Sequence, residues 1–332
     1  MCAENIYSVD GKEMSVYYDN LTYHRYMDFL WNVTCSVGKQ QDERFTITTG
    51  TPGVYPITIE AVDPVSHAIL DTYAGNVNVA SSLAGSGKNP TCLFIGDSTT
   101  AAGKYTGELV NLFASDVMDA TLIGTINSGP GNYHEGRGGW TVAKYYTDAT
   151  SPFVFSGAFD FQQYMNTNGF TGVDWVFFHL GINDVFGQSS DAGVNSIANG
   201  AVSQLDAMIT NMKAYDPTIK FGMLVTIPPS AHQDAFGANY ANGQTQWRYK
   251  RNIMLFIKTF ISAFAGRTGE NIHVVPFNVN LDTEHNMVAS EVAANSRTTR
   301  TVYRQGNGVH PADEGYNQMA DVAFAFLKYQ EQ

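Results

Sequence analysis

The sequence predicts an α/β protein: a parallel sheet of about five strands covered on both faces by helices, behind a small N-terminal β-sandwich. Three observations carry this. Short β-branched and aromatic runs fill residues 5–80. Ser81 to Pro90 then form a small, polar, proline-ended stretch that reads as a linker. Beyond it, apolar strand-like runs alternate with stripes at helical spacing, as in a sheet with crossover helices. The expected boundaries are 1–82 for the β-sandwich, 83–90 for the linker and 91–332 for the α/β domain. The 332 residues suit a core of about 240 residues plus a module of about 80.

In chain order, Ile6–Val9 and Ser15–Tyr18 are rich in strand-forming types, and Trp31–Cys35 and Tyr55–Val62 alternate with period two. Asn76–Ala80 supplies the last strand of the first part, and the expected architecture is a β-sandwich. In the second part, Cys92–Ile95, Thr121–Gly124, Val173–Leu180, Phe221–Ile227 and His273–Phe277 read as five strands. Val173–Leu180 is nearly continuous in apolar residues, as a strand buried on both faces should be. Helical stripes fall at Leu109, Leu112 and Phe113, at Val202, Leu205, Ile209 and Met212, and from Ile253 to Phe264. A last stripe, Tyr316 to Leu327, follows Asp313, which suits an N-cap.

Hydrophobic residues make up 44% and charged residues 15%, values of a folded chain. The net charge of −12 disfavours nucleic acid as a partner. No apolar run is long enough to span a bilayer. Met1 to Asp10 show no secretory signal, so the chain is either not exported by that route or has had its signal trimmed. It is expected outside the cell or at its surface in the second case, and in the cytoplasm if Met1 is the native start. Cys2, Cys35 and Cys92 are too few and too scattered for a disulfide framework or zinc knuckle. Asp282, Glu284 and His285 read as a solvated loop rather than a metal site. No metal or cofactor is expected.

Polar groups collect where the predicted strands end. Gly96-Asp97-Ser98 closes the first strand of the α/β domain. Alone it could be a turn that caps a helix; as a site, it presents Ser98 at a helix entrance, where backbone N–H groups can meet a developing oxyanion. Gly181-Ile182-Asn183-Asp184 closes the third strand, and the Asn183 amide is either a turn former or a neutral oxyanion donor. His310, just before Pro311 and the last helix, is the best candidate base. His179, inside a strand, reads as a core or supporting residue. The glycine-rich stretch from Gly129 to Thr141 reads as a flexible loop and lacks the spacing of a phosphate-binding loop.

Together these segments resemble the SGNH (GDSL-type) hydrolase family. The resemblance spans about Pro90 to Tyr329, with four motif blocks in family order. Ser98 matches the block I serine, Asn183 the block III asparagine, and His310 the block V histidine before proline. His134-Glu135-Gly136-Arg137-Gly138-Gly139-Trp140 is similar to the block II loop of SGNH carbohydrate esterases. The resemblance implies a flavodoxin-like three-layer fold and places Ser98, Gly139 and Asn183 in an oxyanion hole. In the same glycine-rich loop His134, Glu135 and Trp140 are expected toward substrate, His134 lining a cleft and Trp140 offering a stacking wall for a sugar. The resemblance also implies ester hydrolysis through an acyl-enzyme, without cofactor. The N-terminal stretch looks like the β-rich module that precedes some bacterial members.

One position departs from the family pattern: Asn307 stands where the family has aspartate, three residues before the histidine. Three readings stay open. Ser98 and His310 work as a dyad supported by Asn307 or a backbone carbonyl; Asp313 or Glu314 substitutes; or the change was introduced to trap substrate. The Ser230–Trp247 connection is rich in Asn, Gln and Gly with scattered aromatics, which suits sugar faces and hydroxyls. The expected activity is therefore deacylation, above all deacetylation, of an O-acylated carbohydrate. The alternatives are a non-catalytic carbohydrate-binding protein on a decayed scaffold, and a lipid esterase or thioesterase. The sequence gives no oligomeric state.

Overall fold

The structure is a computed structural model, and it describes residues 2–332. The central sheet is built by Thr91–Gly96, Thr121–Ile123, Tyr133–Gly136, Trp175–His179, Lys220–Leu224 and Ile272–Val275, paired in parallel, with the short Ile126–Asn127 added antiparallel to Tyr133–Gly136 at one edge. Thr121–Ile123 and Tyr133–Gly136 both lie on one edge of Thr91–Gly96, the first against Thr91 to Leu93 and the second against Ile95 and Gly96. Counted as one position, they give the strand order 2-1-3-4-5. The switch in direction falls beside Thr91–Gly96, and ligands of such sheets bind beyond the carboxyl ends of the strands there.

The central strands form because their side chains are apolar on both faces. Cys92 to Ile95 and Trp175 to Phe178 expose none of their surface. Long helices cover the sheet: Lys104–Ala114 packs on Asp313–Gln330, and Asp191–Tyr215 packs on Gln246–Phe264. Ser190 and Thr245 cap two of them by accepting from the Gly193 and Arg248 N–H groups. The last helix starts differently from expectation. Ala312 occupies its cap without a side-chain bond, and Asp313 is the first helical residue, paired with Lys104 at 3.1 Å. A carboxylate is favourable there because the helix dipole is positive at that end.

The Gly129–Thr141 stretch, expected to be a flexible loop, holds the Tyr133–Gly136 strand. Four polar and small residues give too little periodicity to announce a strand. It forms because Glu135 and Gly136 pair with Ile95 and Gly96.

The N-terminal strands form two sheets. Asn5–Val9, Ile69–Ala80, Gly53–Val62 and Leu30–Cys35 lie side by side in that order. Met14–Tyr17, Arg44–Ile47 and Lys39–Gln40 form the second. This part shares a continuous buried core with the α/β domain. Tyr7 stands edge-on to Phe326, their ring centroids 5.0 Å apart, and the Asn20 amide donates to the Asn278 carbonyl at 2.8 Å. Residues 81–90 run through turns, where Ala84 is buried and the Lys328 ammonium donates to the Ser82 carbonyl.

Candidate active site

Ser98 opens the short Ser98–Ala101 helix directly after the Thr91–Gly96 strand. Asp97 caps it: Oδ1 accepts from the Thr99 N–H at 3.0 Å and from the Thr99 hydroxyl at 2.8 Å. As the first helical residue, Ser98 has a backbone N–H with no intrahelical acceptor. The turn packs tightly on the neighbouring strand. A Cβ at Gly136 would come within 2.3 Å of the Ala101 nitrogen, so only glycine permits this approach.

His310 arrives from the other end of the chain. Its Nε2 lies 2.8 Å from Ser98 Oγ, across a sequence separation of 212 residues. Asn307 fixes the loop beneath it, with Oδ1 accepting from the Val309 N–H at 3.0 Å and the His310 N–H at 2.9 Å. Burial lowers the imidazole below its ordinary pKa, because removing water penalises the cation. That favours the neutral form a general base needs.

Asn307 thus spends its carbonyl oxygen on the backbone of the loop, not on the ring. Asp313 is turned to Lys104. Among the described residues, neither Asp313 nor Glu314 hydrogen-bonds His310.

Asn183 stands in the Ile182–Val185 turn that follows the Trp175–His179 strand. Its Nδ2 donates to the Trp140 carbonyl at 3.0 Å, leaving a second amide hydrogen. Next to it, Asp184 Oδ1 accepts from the Val142 N–H at 3.1 Å. These adjacent side chains grip residues 140–142, immediately after Gly139. Gly139 itself has φ +74°, and a Cβ there would meet open space, so its requirement is conformational. Among the described residues, no acceptor is bonded to the Ser98 or Gly139 N–H.

The structure brings Ser98 and His310 into contact and ties Asn183 to the segment that follows Gly139. It corrects two of the three residues expected to face substrate. His134 is fully buried, with Nε2 2.8 Å from the Ser128 hydroxyl and Nδ1 accepting from the Gly136 N–H at 3.0 Å. Glu135 is also fully buried, ion-paired with Arg137 and accepting from the Tyr164 hydroxyl and the Thr125 N–H. Neither presents surface to a ligand; both brace the strand that ends at Gly136. Trp140 is half-buried, packed on Tyr145 with ring centroids 4.8 Å apart and with the Arg137 guanidinium 5.2 Å from its own centroid.

Two supporting carboxylates were missed from the sequence. Asp97 is buried and its carboxyl is pushed up to about 7, mainly by loss of solvent and further by the charge of Asp184. Burial pushes Asp184 up to about 6. The sequence signal for Asp97 was available: an aspartate directly before a helix start is a capping residue. Asp184 acts by holding a distant backbone N–H, which no local pattern reports.

Chemically, this is a serine hydroxyl on a neutral imidazole at a helix start, with its own backbone N–H unbonded among the described residues. Such a set can activate a nucleophile and stabilise an oxyanion. Residues 93–323 match the family model described as GDSL-like Lipase/Acylhydrolase. No curated protein matches the chain. Solved structures similar to it include a Clostridium thermocellum family 3 carbohydrate esterase, 18% identical, covering 71% of this chain and 94% of its own, with a TM-score of 0.44. Another is a carbohydrate esterase family 3 from Talaromyces cellulolyticus, 18% identical, covering 72% of this chain and 96% of its own, with a TM-score of 0.42. A third is an acetyl esterase mutant with acetate ion, 17% identical, covering 72% and 96%, with a TM-score of 0.44.

Proposed function

Since the chain belongs to the GDSL-like lipase and acylhydrolase family, we propose that it is a serine esterase that removes acyl groups, above all acetyl, from carbohydrate. The observation that carries the chemistry is the 2.8 Å contact between Ser98 Oγ and His310 Nε2. Ser98 attacks the acyl carbonyl while His310 takes its proton. The Ser98 and Gly139 N–H groups and the Asn183 amide receive the oxyanion. His310 then protonates the leaving alcohol, and later activates the water that releases the acid and restores Ser98.

The carbohydrate half of the reading rests on the Ser230–Trp247 segment. It lies against the loop of the base: the Ser230 N–H donates to the Gly308 carbonyl at 3.1 Å, and Asn239 Oδ1 accepts from the Gly308 N–H at 3.2 Å. Phe236 is buried beneath that loop. Asn239 and Asn242 remain exposed. A polar wall beside the base suits hydroxyl-rich alcohols better than acyl chains.

Hydrolysis of p-nitrophenyl acetate by the parent and by Ser98→Ala tests the chemistry; the variant is expected to lose about 10³-fold or more in kcat. Equal rates in the two chains would sink it. Acetate release from an acetylated polysaccharide, against hydrolysis of long-chain p-nitrophenyl esters, tests the substrate. A preference for the long chains would remove the carbohydrate assignment.

A further inference from the structure

We propose that a cavity between the N-terminal strands and the α/β domain is a second, non-catalytic site that binds a neutral glycan chain. The cavity holds about 250 Å³ and takes its walls from both parts of the protein: several residues between Tyr17 and Asp28, with Glu43, on one side, and Ala231, Trp247, Lys250 and Asp282 to His285 on the other. None of Ser98, Asn183 and His310 lines it. The ligand class rests on the carbohydrate reading above; the existence of the site does not.

Four tyrosine and tryptophan rings line it, and three of them keep exposed surface while Tyr17 is buried. Trp247 is 62% exposed, and Tyr23 and Tyr26 are half-buried. Exposed indole and phenol rings offer flat apolar faces with a polar tip, and such faces suit the C–H side of a pyranose ring. Around them stand side chains that accept hydrogen bonds. Asp19, Asp282 and Glu284 are carboxylates, and each keeps lone pairs for a sugar hydroxyl beyond the contacts it already makes.

Those contacts argue for a neutral ligand. Asp19 pairs with the Lys250 ammonium at 2.7 Å, and that ammonium also donates to the His24 carbonyl at 2.8 Å. Glu284 meets His232 at 2.6 Å. Asp282 accepts from the Glu284 and His285 N–H groups and lies 3.1 Å from the His285 ring. A cation would have to compete with Lys250 and Arg25 in the same walls. An anion would face five carboxylates, Asp19, Asp28, Glu43, Asp282 and Glu284. Uncharged hydroxyls can accept from Lys250 and donate to the carboxylates without displacing either partner.

The placement supplies a role. Thr283, on the cavity wall, accepts from the Ala231 N–H at 3.1 Å, and Ser230 next to it donates to Gly308 in the loop of the base. A chain held in the cavity would therefore be tethered beside the segment that borders the esterase site, raising the effective concentration of its acyl groups there. The N-terminal part would then contribute half of a binding site.

The test uses the Ser98→Ala protein, so that binding is read without turnover. Isothermal titration with xylohexaose, cellohexaose and mannohexaose is expected to show binding of at least one. Tyr26→Ala and Trp247→Ala should each weaken it by about tenfold. Melting temperatures within about 2 °C of the parent would show both variants folded. With Ser98 restored, Tyr26→Ala should hydrolyse p-nitrophenyl acetate at the parental rate but lose kcat/KM on acetylated polymer. Absence of binding to all three sugars, indifference of binding to both substitutions, or tighter binding of oligogalacturonate than of the neutral hexaoses would overturn the proposal. Glycan binding in a chain whose Ser98 form hydrolyses no ester would uphold this site while removing the proposed esterase.

Discussion

Replacing Asn307 with aspartate adds one negative charge under the base and changes little else. The Asn307 oxygen already accepts from the Val309 and His310 N–H groups at 3.0 and 2.9 Å. A carboxylate keeps both bonds and strengthens them. For a separation of about 5 Å between the new charge and the imidazole, the attraction at an effective dielectric of about 20 is about 3 kcal/mol. Both residues are partly open to solvent, which cuts the effect to about 1.4 kcal/mol, or about one pH unit.

The sign follows from the protonation states. A negative neighbour favours the imidazolium, so the lowered pKa of His310 rises. The base is then protonated, and idle, over more of the acid range. The acidic limb of kcat/KM should move up by about one pH unit, while the rate on the alkaline plateau rises by about tenfold through a better-stabilised imidazolium. The assay is p-nitrophenyl acetate hydrolysis from pH 4.5 to 8.5 for parent and Asn307→Asp. An acid limb that stays in place or moves down would show that position 307 has no electrostatic hold on His310.

Two further outcomes follow from the proposed mechanism. Asn183→Ala removes the proposed oxyanion donor and the grip on the Trp140 carbonyl, so kcat should fall about 10²–10³-fold with KM for p-nitrophenyl acetate little changed; an unchanged kcat would leave Asn183 without a catalytic task. Asp97→Asn tests the buried carboxyl. Its folded pKa is raised to about 7, so its contribution to stability is full below about pH 4 and is lost as pH rises through about 7. The amide keeps the Thr99 cap but does not titrate, so the variant's melting temperature should decline less than the parent's between pH 5 and 8. Parallel curves would refute the buried ionisation.

Much of this architecture is written in local pattern. Continuous apolar runs such as Trp175 to Phe178 mark strands covered on both faces, and the stripe from Ile253 to Phe264 marks a helix on one. The polar residues that stop those runs, Ser98 and Asn183, fall at strand ends because the carboxyl edge is where a parallel sheet meets solvent. The Tyr133–Gly136 strand and the hairpin of Ala289–Ala293 with Thr301–Gln305 escaped that reading. The strand is too short, and the hairpin too exposed, to carry a period that burial imposes.

Partnership was decided only by the folded chain. Nothing near Glu135 in the sequence says that Tyr164 and Thr125 will close around it, so a charged loop residue looks available to substrate until those groups converge. Likewise Asn307 could have turned its oxygen to the imidazole or to the backbone, and loop geometry alone chose the backbone. The sequence by itself determined which apolar residues would be buried and which polar residues would end the strands, because burial of apolar side chains follows their chemistry and period. The tertiary structure decided which polar atoms meet, because hydrogen bonds depend on ångström distances between segments that the chain separates by up to hundreds of residues.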